Sequence, residues 1–145
     1  MLVHSEDTPK HRVHIRPEQI GDLITRPAIM HALSTDVGDL VRASHLIENI
    51  YFMVPIAQLT LRDLPSGDTA LLDGVWRLSV LKTFVDGGFP LAGMDYWPEL
   101  NGKRFAELPH SIFRRRIVET RIQCIVLDIR MSDEMCVRYL QQIRS

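Results

Sequence analysis

The sequence predicts an α+β fold, a small mixed sheet that holds a β-hairpin and is flanked by helices. Three observations carry that expectation. Apolar residues alternate over 56–61, and a second short apolar stretch at 69–72 follows the turn signal Pro65-Ser66-Gly67-Asp68, so the two should pair as an antiparallel hairpin. Apolar residues recur at helical spacing before that hairpin and directly after it. A run from Arg121 to Ile129 carries apolar side chains on both faces, as a central strand does.

The elements follow in order. Val13-His14-Ile15 reads as a short strand that Pro17 should stop. Ile20 to Leu33 is mixed, and Pro27 interrupts any helix near Arg26. A helix should then start at Ser34 or Thr35, with Asp36 and Asp39 favouring its N-terminal end. Val37, Leu40, Val41, Ser44, Ile47 and Ile50 would share its inward face, and Tyr51 to Pro55 would end it. In the first hairpin strand Ala57, Leu59 and Leu61 fall on one face, and Gln58 and Thr60 on the other. A helix over 75–85 follows the second strand and stops at Gly87-Gly88. Residues 89–104 are rich in glycine and proline and carry Tyr96 and Trp97. A short helix is expected at 112–117 and a last one capped by Ser132, with Met135, Tyr139, Leu140 and Ile143 inward. The order helix–hairpin–helix–strand–helix is that of an α+β chain.

Composition bounds the function classes. With 145 residues, 46% hydrophobic and 24% charged, the chain suits one globular domain with a real core, taken as residues 13–145 after a loose polar stretch, 1–12. A formal net charge of -1 gives no global field toward nucleic acid or membrane. No apolar run approaches a membrane span, and the polar start lacks a signal-peptide core, so a cytoplasmic location without membrane contact is expected. Cys124 and Cys136 fit no metal-knuckle spacing and read as packing thiols. The six histidines show no pair sharing a helix face with a carboxylate, and no metal site is expected from them.

The stretch Leu71-Leu72-Asp73-Gly74-Val75-Trp76-Arg77-Leu78 carries the chemistry. It reads as strand, tight turn and helix N-terminus, an arrangement that presents backbone N–H groups to an anion. At about 100° per residue, Leu81, Phe84, Val80 and Val85 lie on the Arg77 side of the helix, whereas Ser79, Lys82, Thr83 and Asp86 lie opposite. A guanidinium on an apolar stripe needs a partner. Either an internal carboxylate supplies it, or Arg77 clamps an anion together with the helix dipole. Asp73 would cap the helix or serve as a polar group of the site. Arg114-Arg115-Arg116, with Arg121 nearby, is the dense basic cluster: it grips phosphates or it is a solvated helix face. Trp76 would stack on a base or plug the pocket beside it.

This order, with Leu72-Asp73-Gly74-Val75-Trp76-Arg77-Leu78-Ser79-Val80-Leu81 after the hairpin, resembles the ParB/sulfiredoxin-like superfamily, and within it the N-terminal domain of GmrSD-type modification-dependent restriction proteins. That family carries an apolar residue, Asp-Gly-Gln-Gln-Arg-Leu and an apolar helix at this place. Asp39-Leu40-Val41 to Tyr51, Pro55 to Leu61 and Leu100-Asn101-Gly102-Lys103-Arg104-Phe105 resemble the flanks. Thr25-Arg26-Pro27 stands where the family has Gln-Arg-Pro. The resemblance implies a ParB-like domain that binds a nucleotide or nucleic acid, with NTP and Mg²⁺ as the implied cofactor. Catalysis would fall to Asp73 and Arg77, phosphate contacts to Arg26, Gly74, Trp76 and Arg77, and nucleic-acid contacts to Arg114, Arg115 and Arg116. Val75 and Trp76 replace the two motif glutamines, and neither offers the polar groups that order a phosphate or water. The expectation is therefore binding with weak or absent NTPase or nuclease activity. The alternative is a catalytically degenerate member that acts as a protein-binding inhibitor or accessory factor in a plasmid, phage or defence setting.

Overall fold

The computed structural model describes residues 13–144, so the expected loose segment 1–12 lies outside the described residues. The chain is α+β, with one four-stranded mixed sheet. The strands are β1 (Val13–Gln19), β2 (Leu59–Asp63), β3 (Thr69–Asp73) and β4 (Arg121–Leu127), in the order β1-β4-β2-β3. β2 and β3 form the expected antiparallel hairpin. β4 lies between β1, its antiparallel partner, and β2, its parallel one. β4 is central by hydrogen bonding, but only its Ile122–Cys124–Val126 face is buried throughout: on the other face Arg121 and Gln123 are exposed, and the apolar side chains expected there are reduced to Ile125 and Leu127.

Among the described residues six α-helices pack on the sheet: α1 (Ile20–Leu23), α2 (Pro27–Ala32), α3 (Leu40–Tyr51), α4 (Val75–Val85), α5 (Ser111–Glu119) and α6 (Asp133–Arg144). α1 to α5 cover one sheet face. The main core joins Ile20, Leu23, Ile29, Ile47, Ile50, Leu78, Phe84 and Ile117 of these helices to Leu59, Leu61, Ile122, Cys124 and Val126 of the sheet. The other face carries only a small cluster, Leu127, Met131 and Cys136, packed by Val13, Leu72 and Tyr139. Among the described residues no helix is long and apolar enough to cross a membrane.

Several boundaries differ from expectation for physical reasons. Pro17 does not stop β1, which continues to Gln19 with Pro17 opposite Gln123. β1 is an edge strand, and an edge is where a missing N–H is tolerated. The helix expected from Ser34 or Thr35 begins only at Leu40, capped by Asp39, whose Oδ1 accepts from Val41 N at 2.9 Å. Leu40 and Val41 are consequently exposed, and the inward face is Ala43, Ser44, Ile47, Glu48, Ile50 and Tyr51. Residues 33–39 instead form a strap across α4. Ser34 N donates to Ser79 Oγ (3.0 Å), Thr83 Oγ1 donates to Ser34 O (3.3 Å) and Trp76 Nε1 donates to Val37 O (2.9 Å). The Ser79–Thr83 side of α4 is thus buried under this strap, and α4 is enclosed on both sides. β2 starts at Leu59 rather than Ile56; within it Leu59, Thr60 and Leu61 are all buried, whereas Ala57 and Gln58 precede the strand and are exposed. Among the described side chains of α6 only Cys136 is buried. Met135 and Ile143, expected inward, are exposed, while Tyr139 and Leu140 are half-buried.

Candidate functional site

The turn from β3 into α4 rests on Gly74, the N-cap of α4, which adopts φ +100°. Only glycine takes that left-handed conformation without strain. A Cβ there would also lie 2.3 Å from Leu59 Cδ2 and 3.0 Å from Arg77 Nη2. The capping role proposed for Asp73 falls to Gly74 instead, and no side chain caps α4. Among the described residues no side-chain hydrogen bond caps this first turn, whose N–H groups carry the positive end of the helix dipole.

Arg77 sits on this first turn, half-buried. Its Nη2 donates to Gln58 O at 2.9 Å, and its Nε is buried without a hydrogen-bond partner. Among the described residues it forms no ion pair. Of the two partners weighed for this guanidinium, the internal carboxylate is not realised. A second arginine comes from α3: the Arg42 guanidinium lies 4.0 Å from the centre of the Trp76 ring. Trp76 is held by its own hydrogen bond to Val37, so it forms a wall rather than a plug. Arg42, Leu46, Asp73, Gly74, Val75, Trp76 and Arg77 line an open cavity of about 420 Å³. Arg42 was not singled out in the sequence. The signal was present in principle, since it lies on the helix that the strap brings beside α4.

Arg26 is elsewhere. Its Nη2 pairs with Glu18 at 2.9 and 3.0 Å, and its Nη1 reaches Thr69 Oγ1 at 3.5 Å. Thr69 begins β3 and Asp73 ends it, so at about 3.3 Å per residue the two sites stand some 13 Å apart. Arg26 lines a larger cleft of about 1050 Å³ with Arg16, Glu18, Asp63, Asp68 and Thr69. There Arg16 bridges Glu18 (3.2 Å) and Asp63 (3.3 Å). Both arginines of the larger cleft are neutralised from within. In the smaller cavity, by contrast, neither Arg42 nor Arg77 pairs with a carboxylate of the described residues.

The three consecutive arginines do not make one surface. α5 turns them about 100° apart, and each has a partner within the chain. Arg114 donates to Leu108 O (3.0 Å), Arg116 donates to Tyr51 O (3.1 Å), and Arg115 pairs with Glu119 (3.6 Å). A dense basic run in the sequence becomes two backbone anchors and one ordinary surface pair. Tyr96 and Trp97 join an aromatic group with Phe52, Tyr51 and Phe113: Phe52 stacks on Trp97 at 4.7 Å, and Tyr51 meets Trp97 edge-on at 5.8 Å. Burial holds the Tyr51 phenol far above its ordinary range, and its hydroxyl has no partner.

The fold also gathers side chains that the sequence reading left scattered. His45 and Glu48 of α3 meet Asp95 from the loop that follows α4. The signal was the three-residue spacing of His45 and Glu48 on one helix, and nothing local points to Asp95 as the third member. Neither family models, curated proteins nor solved structures contain a match to this chain.

Proposed function

We propose that this chain is a nucleotide- or nucleic-acid-binding domain of the ParB/sulfiredoxin-like kind, acting in the cytoplasm and holding a phosphate at the start of α4. The observation that carries this reading is the pair of guanidiniums, Arg42 and Arg77, at an uncapped helix N-terminus that opens into a cavity of about 420 Å³. A phosphate there would take hydrogen bonds from the first-turn N–H groups and charge from Arg77. Gly74 supports the reading by leaving room for a close approach, and Trp76 by offering a ring face already used by one cation. Asp73 would face the bound phosphate as a polar group, with Mg²⁺ carried in by the nucleotide. Val75 is apolar and exposed, so hydrolysis would be weak or absent. Arg26 is left out of the phosphate site by its pairing with Glu18.

A second reading, a protein-binding accessory factor on the same fold, draws on exposed apolar residues: Ile15 on β1, Ile129 after β4, and Val137 on α6. A thermal-shift titration with the four NTPs, with and without Mg²⁺, separates the two. Under the first reading a saturating nucleotide at 100 times its dissociation constant adds about 2.7 kcal/mol to wild type, and Arg77→Ala loses that increment. Because Arg77 has no carboxylate partner among the described residues, its removal should cost the ligand-free protein only its Gln58 hydrogen bond, about 1 kcal/mol. No shift with any nucleotide would favour the second reading.

A further inference from the structure

Helix α3 ends in an arrangement that ordinarily calls for glycine. Its C-cap is Phe52, Met53 N donates to Ile50 O at 3.0 Å, and Val54 N donates to Asn49 O at 2.9 Å. That pair of bonds requires a left-handed residue directly after the cap, and glycine or asparagine usually supplies it. Here it is Met53, at φ +59°, which alone among the described non-glycine residues has a positive φ. Core packing does not offset the strain, since Met53 is 77% exposed. It stands between Phe52 and Val54, both exposed as well. Phe52 is held in place by stacking on Trp97 at 4.7 Å and by an edge-on contact with the exposed Tyr96 at 4.6 Å.

The surface beside this apolar ridge is cationic. Residues 110–121 hold four arginines and one acid, Glu119, which Arg115 already engages at 3.6 Å. Arg116 donates to Tyr51 O at 3.1 Å, so its guanidinium stands at the end of α3, where the ridge begins. A carbonyl partner leaves that charge uncancelled. Arg121, the first residue of β4, shares a groove of about 240 Å³ with Met53, Val54 and the buried Ile50. Neither Arg116 nor Arg121 pairs with a carboxylate of the described residues.

We propose that this corner is a docking surface for a short acidic peptide segment of a partner protein. One large apolar side chain of the segment enters the groove, and carboxylates beside it meet Arg121 and Arg116. Charge complementarity selects the acidic partner, because the arginines gather here on a chain whose formal net charge is -1. The groove selects a peptide over a flat anionic surface. It is a recess, and at about 240 Å³ it falls below the roughly 300 Å³ at which small-molecule sites begin, so it suits a single side chain. Met53 fits such a contact, since a thioether side chain adapts to the shape it meets. An exposed apolar patch rimmed by charge is the form that protein-binding sites take. The surface is separate from the α4 cavity: Arg42 and Met53 stand some 16 Å apart along α3.

The test is to pan a phage-displayed library of random nonapeptides against the full chain and to titrate the enriched peptides, labelled with fluorescein, by anisotropy. The expected result is enrichment of sequences that place Leu, Phe or Trp beside two or more Asp or Glu residues. Arg121→Glu should weaken their binding by about tenfold or more. Met53→Asn separates docking from folding. Asparagine accepts the left-handed conformation, so this variant should melt no lower than wild type and should still lose about tenfold in affinity. No enriched sequence, enriched peptides without acidic residues, or peptides that bind both variants as tightly as wild type would overturn the proposal. So would phosphatidylserine vesicles or single-stranded DNA whose binding to the chain the two substitutions abolish while peptide binding persists.

Discussion

At the scale of single residues, position 74 decides the geometry of the candidate site. The Asp-Gly pair signals a tight turn in the sequence, yet the two residues exchange the roles expected of them. Gly74, not Asp73, is the N-cap, because the turn needs a left-handed residue just where Leu59 packs. Gly74→Ala therefore meets two costs, a strained φ of +100° and a Cβ forced against Leu59 Cδ2. We expect a loss of about 3 kcal/mol, read as a lower urea midpoint at unchanged slope. A loss under about 0.5 kcal/mol would mean that the turn relaxes freely and that the glycine is not what shapes the cavity. The side of α4 on which Arg77 falls was legible because helical phase alone places it with Leu81 and Phe84. Its partner was not legible: Gln58 contributes a backbone carbonyl, and any residue there could do the same.

At the scale of elements, α3 starts where its surroundings permit. Ser34, Thr35, Asp36 and Asp39 are all competent N-caps by chemistry. The strap hydrogen bonds from Trp76, Ser79 and Thr83 hold 34–37 outside the helix, which leaves Asp39 to cap it. Asp39→Ala should cost about 1 kcal/mol in equilibrium unfolding, and Thr35→Ala should stay within about 0.5 kcal/mol. Equal losses for the two would contradict the assignment. The same contrast explains what could be read from the chain. The hairpin turn and α4 are specified locally, by Pro65 to Asp68 and by Asp73-Gly74, and both stand where expected, although the first hairpin strand, expected over 56–61, runs over Leu59–Asp63. The full length of β1 was hidden because a proline is allowed only by an edge position, which is a property of the sheet and not of the strand. The partners of the arginine run 114–116 were hidden for a related reason: composition counts charges, whereas helical geometry sends neighbouring side chains to different partners. Nor could local sequence announce the larger cleft, whose lining comes from β1, the α2 start and the β2–β3 turn.

At the scale of the whole molecule, the two faces of the sheet are unequal, and Cys124 marks the deep one. It lies at the middle of β4, opposite Arg16 of β1 and Leu59 of β2, and is fully buried. Burial first, and the nearby Glu18 carboxylate second, push its thiol up from 9.0 to about 11, although Arg16 and Arg26 pull the other way. The sign of the consequence follows from proton counting. Between pH 9 and pH 11 the unfolded chain has released this proton and the folded chain still holds it, so unfolding releases a proton and rising pH favours unfolding. The contribution is whole below about pH 9 and is lost as pH climbs toward 11, a fall on the order of 2 kcal/mol. Tyr51, raised by burial as well, adds to the fall only at the upper end of this window, because its phenol ordinarily ionises at 10.0. Urea unfolding from pH 8 to 11 should show wild type losing stability across the window. Cys124→Ala should be weaker at pH 8, because a buried side chain has been truncated, yet should decline less steeply. The difference between the two slopes isolates the thiol from the other groups that titrate there. Parallel curves would show that water reaches the centre of the sheet, and that the five helices over that face do not close it.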